Sequence, residues 1–143
     1  EETMYIPGTD GEKMSKSKGN LINIFQPAKK LRKQIMGIQT DSTPMEEPKN
    51  PDTDNVFALY KILASDSQIK EMHQNYLKGN YGYGHAKQAL FEVLIEKFGH
   101  AREKFDYYMN NLEEIDQALY SGADKAKKVA DGVLERVRIK VGY

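Results

Sequence analysis

From position 55 onward, apolar residues return every three or four positions, and no segment with strand-like alternation rivals them. That period places side chains along one side of a helix, so such a chain is constrained to packed helices. The longest run is Ala86, Leu90, Leu94, Phe98, Ala101, Phe105, Tyr108 and Leu112. Gly99 interrupts it at a cost of about 1 kcal/mol relative to Ala, which predicts close helix packing or a kink there. Over Asn55 to Ala64, the residues Val56, Phe57, Leu59, Tyr60, Ile62 and Leu63 cover nearly the whole circumference. A helix apolar all round is buried, so this one is expected at the centre of the core, capped by Thr53 or Asp54. Ser65 with Gln68 fits a capping box for a helix with Ile69, Met72, Tyr76 and Leu77 inward and Gly79 at its end. Upstream, Pro27 opens a helix that turns Ala28, Leu31, Ile35 and Ile38 inward. Asn111 with Glu114 caps a further helix. Ser121 precedes the last one, with Ala126, Val129, Ala130, Val133, Val137 and Val141 inward.

Residues 1–24 read as loop, punctuated by Pro7, Gly8, Gly11 and Gly19, with Tyr5-Ile6 at most the end of a strand. Pro44, Pro48 and Pro51 make 39–53 a loop, and the glycine-rich stretch 79–84 reads as a flexible connector. The expected fold is therefore an all-α helical bundle (25–143) behind a loop-like N-terminal arm (1–24).

The 143 residues suit one ordinary domain. With 21 basic and 21 acidic side chains the formal charge is zero, which excludes a generally basic nucleic-acid coat but not a local patch. Such a patch exists. Lys13, Lys16, Lys18, Lys29, Lys30, Arg32 and Lys33 have no acid among them, whereas Asp41, Glu46, Glu47, Asp52 and Asp54 are accompanied only by Lys49. This segregation suggests an anionic partner for the first block, although a basic run by itself reads more plainly as a solvated helix face plus a loop. Cys is absent, which removes disulfides, thiolate nucleophiles and Cys-based zinc sites. No apolar run approaches the ~20 residues that span a bilayer. The chain begins Glu-Glu-Thr and reads as a piece of a longer protein.

The chemistry sits in Lys13-Met14-Ser15-Lys16-Ser17. Two ammonium groups three residues apart can converge on one polyphosphate, and lysine suits the task as a compact point charge with three donors. Ser15 and Ser17 offer hydroxyls to phosphate oxygens, and the flanking glycines let the loop open and close. A cationic loop of this kind stabilises a departing pyrophosphate more than the bound substrate. In a chain this short, such a five-residue match arises by accident with a probability on the order of 10⁻⁴.

The pentapeptide resembles the KMSKS loop of class I aminoacyl-tRNA synthetases. Further stretches are similar to the bacterial-type tryptophanyl-tRNA synthetase family: Pro7-Gly8-Thr9-Asp10-Gly11, Thr40-Asp41-Ser42, Asn50-Pro51-Asp52, Asn55-Val56-Phe57, Gly82-Tyr83-Gly84 with Lys87, Gly122 to Ala126, and Val141-Gly142. The resemblance implies that 1–24 is the signature-loop tail of a Rossmann catalytic domain and that 25–143 is a C-terminal α-helical anticodon-binding domain. It also implies an ATP site at Lys13, Met14, Ser15, Lys16 and Ser17, with Lys16 the principal phosphate contact and Lys13 supporting it. The substrates would be ATP with Mg, L-tryptophan and tRNA(Trp). The parent would be a cytoplasmic homodimer, with a monomer plausible for this piece. A HIGH-like segment, the Rossmann strands and a tryptophan pocket are absent from the sequence, so the piece alone is expected not to aminoacylate.

Other features have blander readings. Gly82-Tyr83-Gly84 reads as a helix-entry turn rather than a phosphate cradle, and His73, His85 and His100 lack metal-ligand spacing. Glu113, Glu114 and Asp116 suit a helix N-terminus. Tyr107 is a candidate for base stacking, while Tyr108 is expected in the core. Arg102, Lys104, Arg136, Arg138 and Lys140 are candidates for the RNA backbone, with surface ion pairing as the default. The alternative to a ligase piece is a non-catalytic tRNA-binding or protein-interaction helical module.

Overall fold

The computed structural model describes residues 5–143; the first four residues of the expected arm lie outside the described residues. Five helices follow one another: α1 Ala28–Met36, α2 Asn55–Leu63, α3 Asp66–Lys78, α4 Tyr83–Asn110 and α5 Leu112–Val141. No extended strand occurs among the described residues, where Pro7 and Lys13 form an isolated antiparallel bridge. The fold is all-α, as the periodicity requires. The chain divides into two compact units, one up to Arg102 and one from Glu103 onward.

In the first unit, α1 begins after Pro27, whose fixed backbone angle suits the entry to a helix. Leu31 and Ile35 are buried, with Ile38 just beyond the helix, while Lys29, Lys30, Arg32 and Lys33 face outward. Ala28 is exposed rather than inward; a lone methyl in the first turn gives that end little to bury. In α2, the Asp54 carboxylate accepts the Phe57 N–H at 2.7 Å and so caps the helix. Val56, Phe57, Leu59 and Tyr60 are buried, but Ile62 is 38% exposed, so α2 is central on one side and open on the other. The Ser65–Gln68 capping box of α3 is present in both directions. Met72 and Tyr76 of α3 enter the core, while Leu77 stays exposed. Ala86, Leu90, Val93 and Leu94 of α4 complete that core.

Long cations of α4 hold the neighbouring helix ends. Lys87 Nζ donates to the Met36 carbonyl that ends α1 (3.1 Å), and Lys97 Nζ to the Leu63 carbonyl that ends α2 (2.9 Å). Both satisfy carbonyls that a helix C-terminus leaves unpaired. Burial pushes the Lys87 ammonium below its usual range. The proline loop is ordered around buried Lys49, whose Nζ reaches the carbonyls of Pro44 (2.8 Å) and Glu47 (3.2 Å) and lies 5.2 Å from the centre of the Tyr83 ring. The expected flexible connector 79–84 bonds to this loop through Asn80 N–H to Glu46 O (3.4 Å) and Tyr81 N–H to Met45 O (3.1 Å). Gly79 has φ +76°, and a Cβ there would stand 2.5 Å from the Glu46 carbonyl oxygen.

The second unit comprises the end of α4 and all of α5. Asn111 stands before α5 but does not cap it through its side chain; its amide donates instead to the Tyr107 carbonyl at 2.7 Å. The expected break at Ser121 is absent. α5 runs unbroken for 30 residues and is longer than the 28-residue α4. Glu113 and Glu114 in its first turn and Arg138 and Lys140 in its last complement the helix dipole. No residue of α5 is buried, so the expected inward face is exposed: periodicity identifies the apolar side of a helix, not what covers it.

Candidate functional site

The signature loop is a folded hairpin-like turn. The Gly8 N–H donates to Glu12 O at 2.7 Å and the Met14 N–H to Ile6 O at 2.9 Å, which closes the stem around the Pro7–Lys13 bridge. A second turn spans 16–19, where the Gly19 N–H meets Lys16 O at 3.3 Å and Gly19 takes φ +70°. The loop is tied to the helices by Gln39 N–H to Thr9 O (2.8 Å) and by Asn55 Nδ2 to Gln39 O (2.9 Å).

Lys13 and Lys16 are both exposed, and neither pairs with an acid among the described residues; Lys18 instead lies 3.7 Å from Glu12. Ser15 and Ser17 share a hydroxyl hydrogen bond at 2.9 Å. Met14 turns the other way, into an apolar cavity of about 220 Å³ lined also by Ile6, Ile22, Leu59, Leu90 and Phe98. The pentapeptide thus splits by chemistry, with cations and hydroxyls toward solvent and the thioether toward the helices.

Asn20 escaped sequence reasoning. It is 3% exposed, yet polar. Its only sequence signal is that an Asn directly follows the glycine closing the basic loop, where its amide can bond local backbone. Its side chain accepts the Ser15 N–H (2.8 Å) and donates to Lys13 O (3.2 Å) and Asp10 Oδ1 (2.8 Å). That last bond is the main reason the Asp10 carboxyl lies below its ordinary value.

The remaining candidates sort plainly. His85 packs against Tyr81 with ring centres 5.6 Å apart, and Lys87 is engaged with α1, so Gly82-Tyr83-Gly84 serves helix entry. Asp41 accepts the Tyr83 hydroxyl at 2.6 Å, which lowers the carboxyl and, together with burial, raises the phenol. Tyr107 is half exposed and its hydroxyl donates to Glu114. Tyr108, expected in the core, is exposed and packs edge-on against Tyr107 at 5.4 Å. Gly99 meets nothing that explains it. Arg102 donates to the Ile24 carbonyl, a structural contact, whereas Lys104, Arg136, Arg138 and Lys140 are exposed. Among the described residues no cluster of His, Asp or Glu is arranged to hold a metal ion, and no helix is long and apolar enough to cross a membrane.

Comparison with known proteins agrees with this geometry. The family model described as tRNA synthetases class I (W and Y) matches residues 3–99. The tryptophan–tRNA ligase of Fusobacterium nucleatum is 42% identical over 99% of the chain, which spans 43% of that protein. The ligase of Rhodopirellula baltica is 44% identical over 96% of the chain, again 43% of its own length. The crystal structure of tryptophanyl-tRNA synthetase from Campylobacter jejuni complexed with ADP and tryptophan superposes with a TM-score of 0.94 at 40% identity. It covers 100% of this chain and 45% of its own. The chain thus spans less than half the length of these relatives. The KMSKS-type loop, the helical fold and these matches together place the chain in the class I tRNA synthetase family of the tryptophan and tyrosine type.

Proposed function

We propose that this chain is the ATP-loop and tRNA-facing part of a tryptophan–tRNA ligase, with 1–24 the tail of a nucleotide-binding domain and 25–143 the helical anticodon-binding domain. The observation that carries the reading is the pair of exposed ammonium groups of Lys13 and Lys16 on an ordered loop, neither paired with an acid among the described residues. ATP with Mg binds as substrate, and both lysines engage its phosphates. Lys16 makes the contact that strengthens as negative charge gathers on the departing pyrophosphate. Ser15 and Ser17 donate hydroxyls, and Met14 anchors the loop by its apolar side chain. The outward Lys29, Lys30 and Lys33 of α1 offer charge to the backbone of tRNA(Trp). The rest of the ligase supplies the tryptophan pocket and the HIGH-like segment, so the 143-residue chain alone does not aminoacylate. The complete enzyme works as a cytoplasmic homodimer. The matches to ligases along nearly the whole chain favour this over a helical interaction scaffold.

The test is Lys16→Ala in a full-length ligase carrying this segment. Adenylate formation is expected to slow by roughly 10²–10³-fold, the scale of losing one preorganised charge contact in a transition state. Tryptophan affinity should stay unchanged. A change in tryptophan affinity alone contradicts the assignment.

A further inference from the structure

The two lysines project from a loop that is closed, among the described residues, by one isolated bridge and a few backbone hydrogen bonds, with a basic turn that ends on glycine. The side chain that holds it is Asn20. Its carbonyl oxygen accepts the Ser15 N–H, one residue before Lys16, while its own backbone lies one residue after the turn 16–19. The amide therefore closes a ring across the turn that starts at Lys16. Its Nδ2 reaches back to the Lys13 carbonyl, so one buried side chain contacts the backbone beside both cations. The second proton on Nδ2 goes to Asp10, and the backbone carbonyl of Asn20 accepts the Thr9 N–H at 3.0 Å, which ties the turn to the stem. The fit is close, since a Cβ on Gly8 would stand 2.5 Å from the Asn20 side chain. Every polar group of the side chain is used, and a short, buried amide holds the geometry at little cost in rotamer freedom.

We infer that Asn20 is a positioning residue for adenylyl transfer: it locks the backbone at Lys13 and Ser15 so that Lys13 and Lys16 are presented together before nucleotide arrives. The inference rests on the ATP-loop reading above and adds a residue that itself touches no substrate. Preorganisation of this kind acts on rate, because displacement of a charged group by about 1 Å can cost on the order of 10²-fold. Asp10 belongs to the same device as its carboxylate partner.

The test uses a full-length ligase carrying this segment and follows tryptophan-dependent ATP–pyrophosphate exchange. Asn20→Ala is expected to lower kcat by about 10- to 100-fold with the KM for tryptophan unchanged. Asn20→Asp sets a carboxylate against Asp10 and should lose at least as much. Asn20→Asp keeps the shape of the side chain and its acceptor for the Ser15 N–H but loses both donated bonds, to Lys13 O and to Asp10, so it decides the matter even if Asn20→Ala does not fold. If either variant works at the parent rate, the positioning role is wrong. With Lys16→Ala impaired, such a result removes only Asn20 from the scheme; if Lys16→Ala also works at the parent rate, the ATP-loop reading falls with it.

Discussion

Replacing Tyr76 with Phe removes one oxygen atom from the centre of the first unit and leaves the ring in place. Tyr76 is fully buried, and its hydroxyl donates to Asp54 Oδ1 at 2.8 Å. Asp54 is itself 7% exposed, and the carboxylate oxygen that receives this hydroxyl also accepts the Phe57 N–H and so begins α2. Without the hydroxyl, the buried carboxylate loses one of the hydrogen bonds that offset its burial. A hydrogen bond to a charged group contributes about 1.5–3 kcal/mol, so the variant should lose roughly 2 kcal/mol at pH 7. The loss must also depend on pH. Burial raises the Asp54 carboxyl above its ordinary value, and the Tyr76 bond opposes that rise. A bond that lowers a folded-state pKa stabilises most where the group is ionised, and its contribution fades as pH falls through that pKa. Below the ordinary carboxylate range Asp54 is protonated, the bond is neutral, and the penalty should shrink to about 1 kcal/mol or less. Urea unfolding of the parent and Tyr76→Phe proteins at pH 7 and pH 3 measures both values. A penalty under about 0.5 kcal/mol at pH 7, or the same penalty at both pH values, refutes the account of this network.

Two further substitutions test the frame that carries the loop. Gly79→Ala combines a left-handed backbone with a 2.5 Å approach to the Glu46 carbonyl, and should cost more than about 1 kcal/mol in urea unfolding; a neutral result would mean that the connector is not held against the proline loop. Leu90→Ala removes a fully buried side chain that also lines the Met14 cavity, and should cost about 2–5 kcal/mol, with a loss below about 1 kcal/mol contradicting its place in the core.

Helix positions were legible where one local rule decides them. The Ser65–Gln68 pair is a self-contained device of four residues, and it forms as the sequence dictates. Pro27 and Asp54 likewise mark their helix starts through backbone angle and cap chemistry alone. The pattern misled where burial depends on distant chain. Ile62, on a helix apolar nearly all round, and Leu77, on the expected inner face of α3, are both exposed, because the core of the first unit does not reach them. Ser121 looks like a cap, but Ser is tolerated inside a helix, and good helix formers on both sides carry α5 through it. In the site, Lys13 and Lys16 could be read because spacing and charge are properties of the string of residues. Asn20 could not, because its role arises from three bonds to Asp10, Lys13 and Ser15 that exist only once the loop has closed on itself.

The most direct measurement is a structure of the full-length ligase carrying this segment, trapped with a tryptophanyl-adenylate analogue and pyrophosphate. The account predicts the Lys16 ammonium within about 3 Å of a phosphate oxygen, with Lys13 beside it. Both ammonium groups left in bulk solvent, with the pyrophosphate held wholly by other parts of the enzyme, would contradict it.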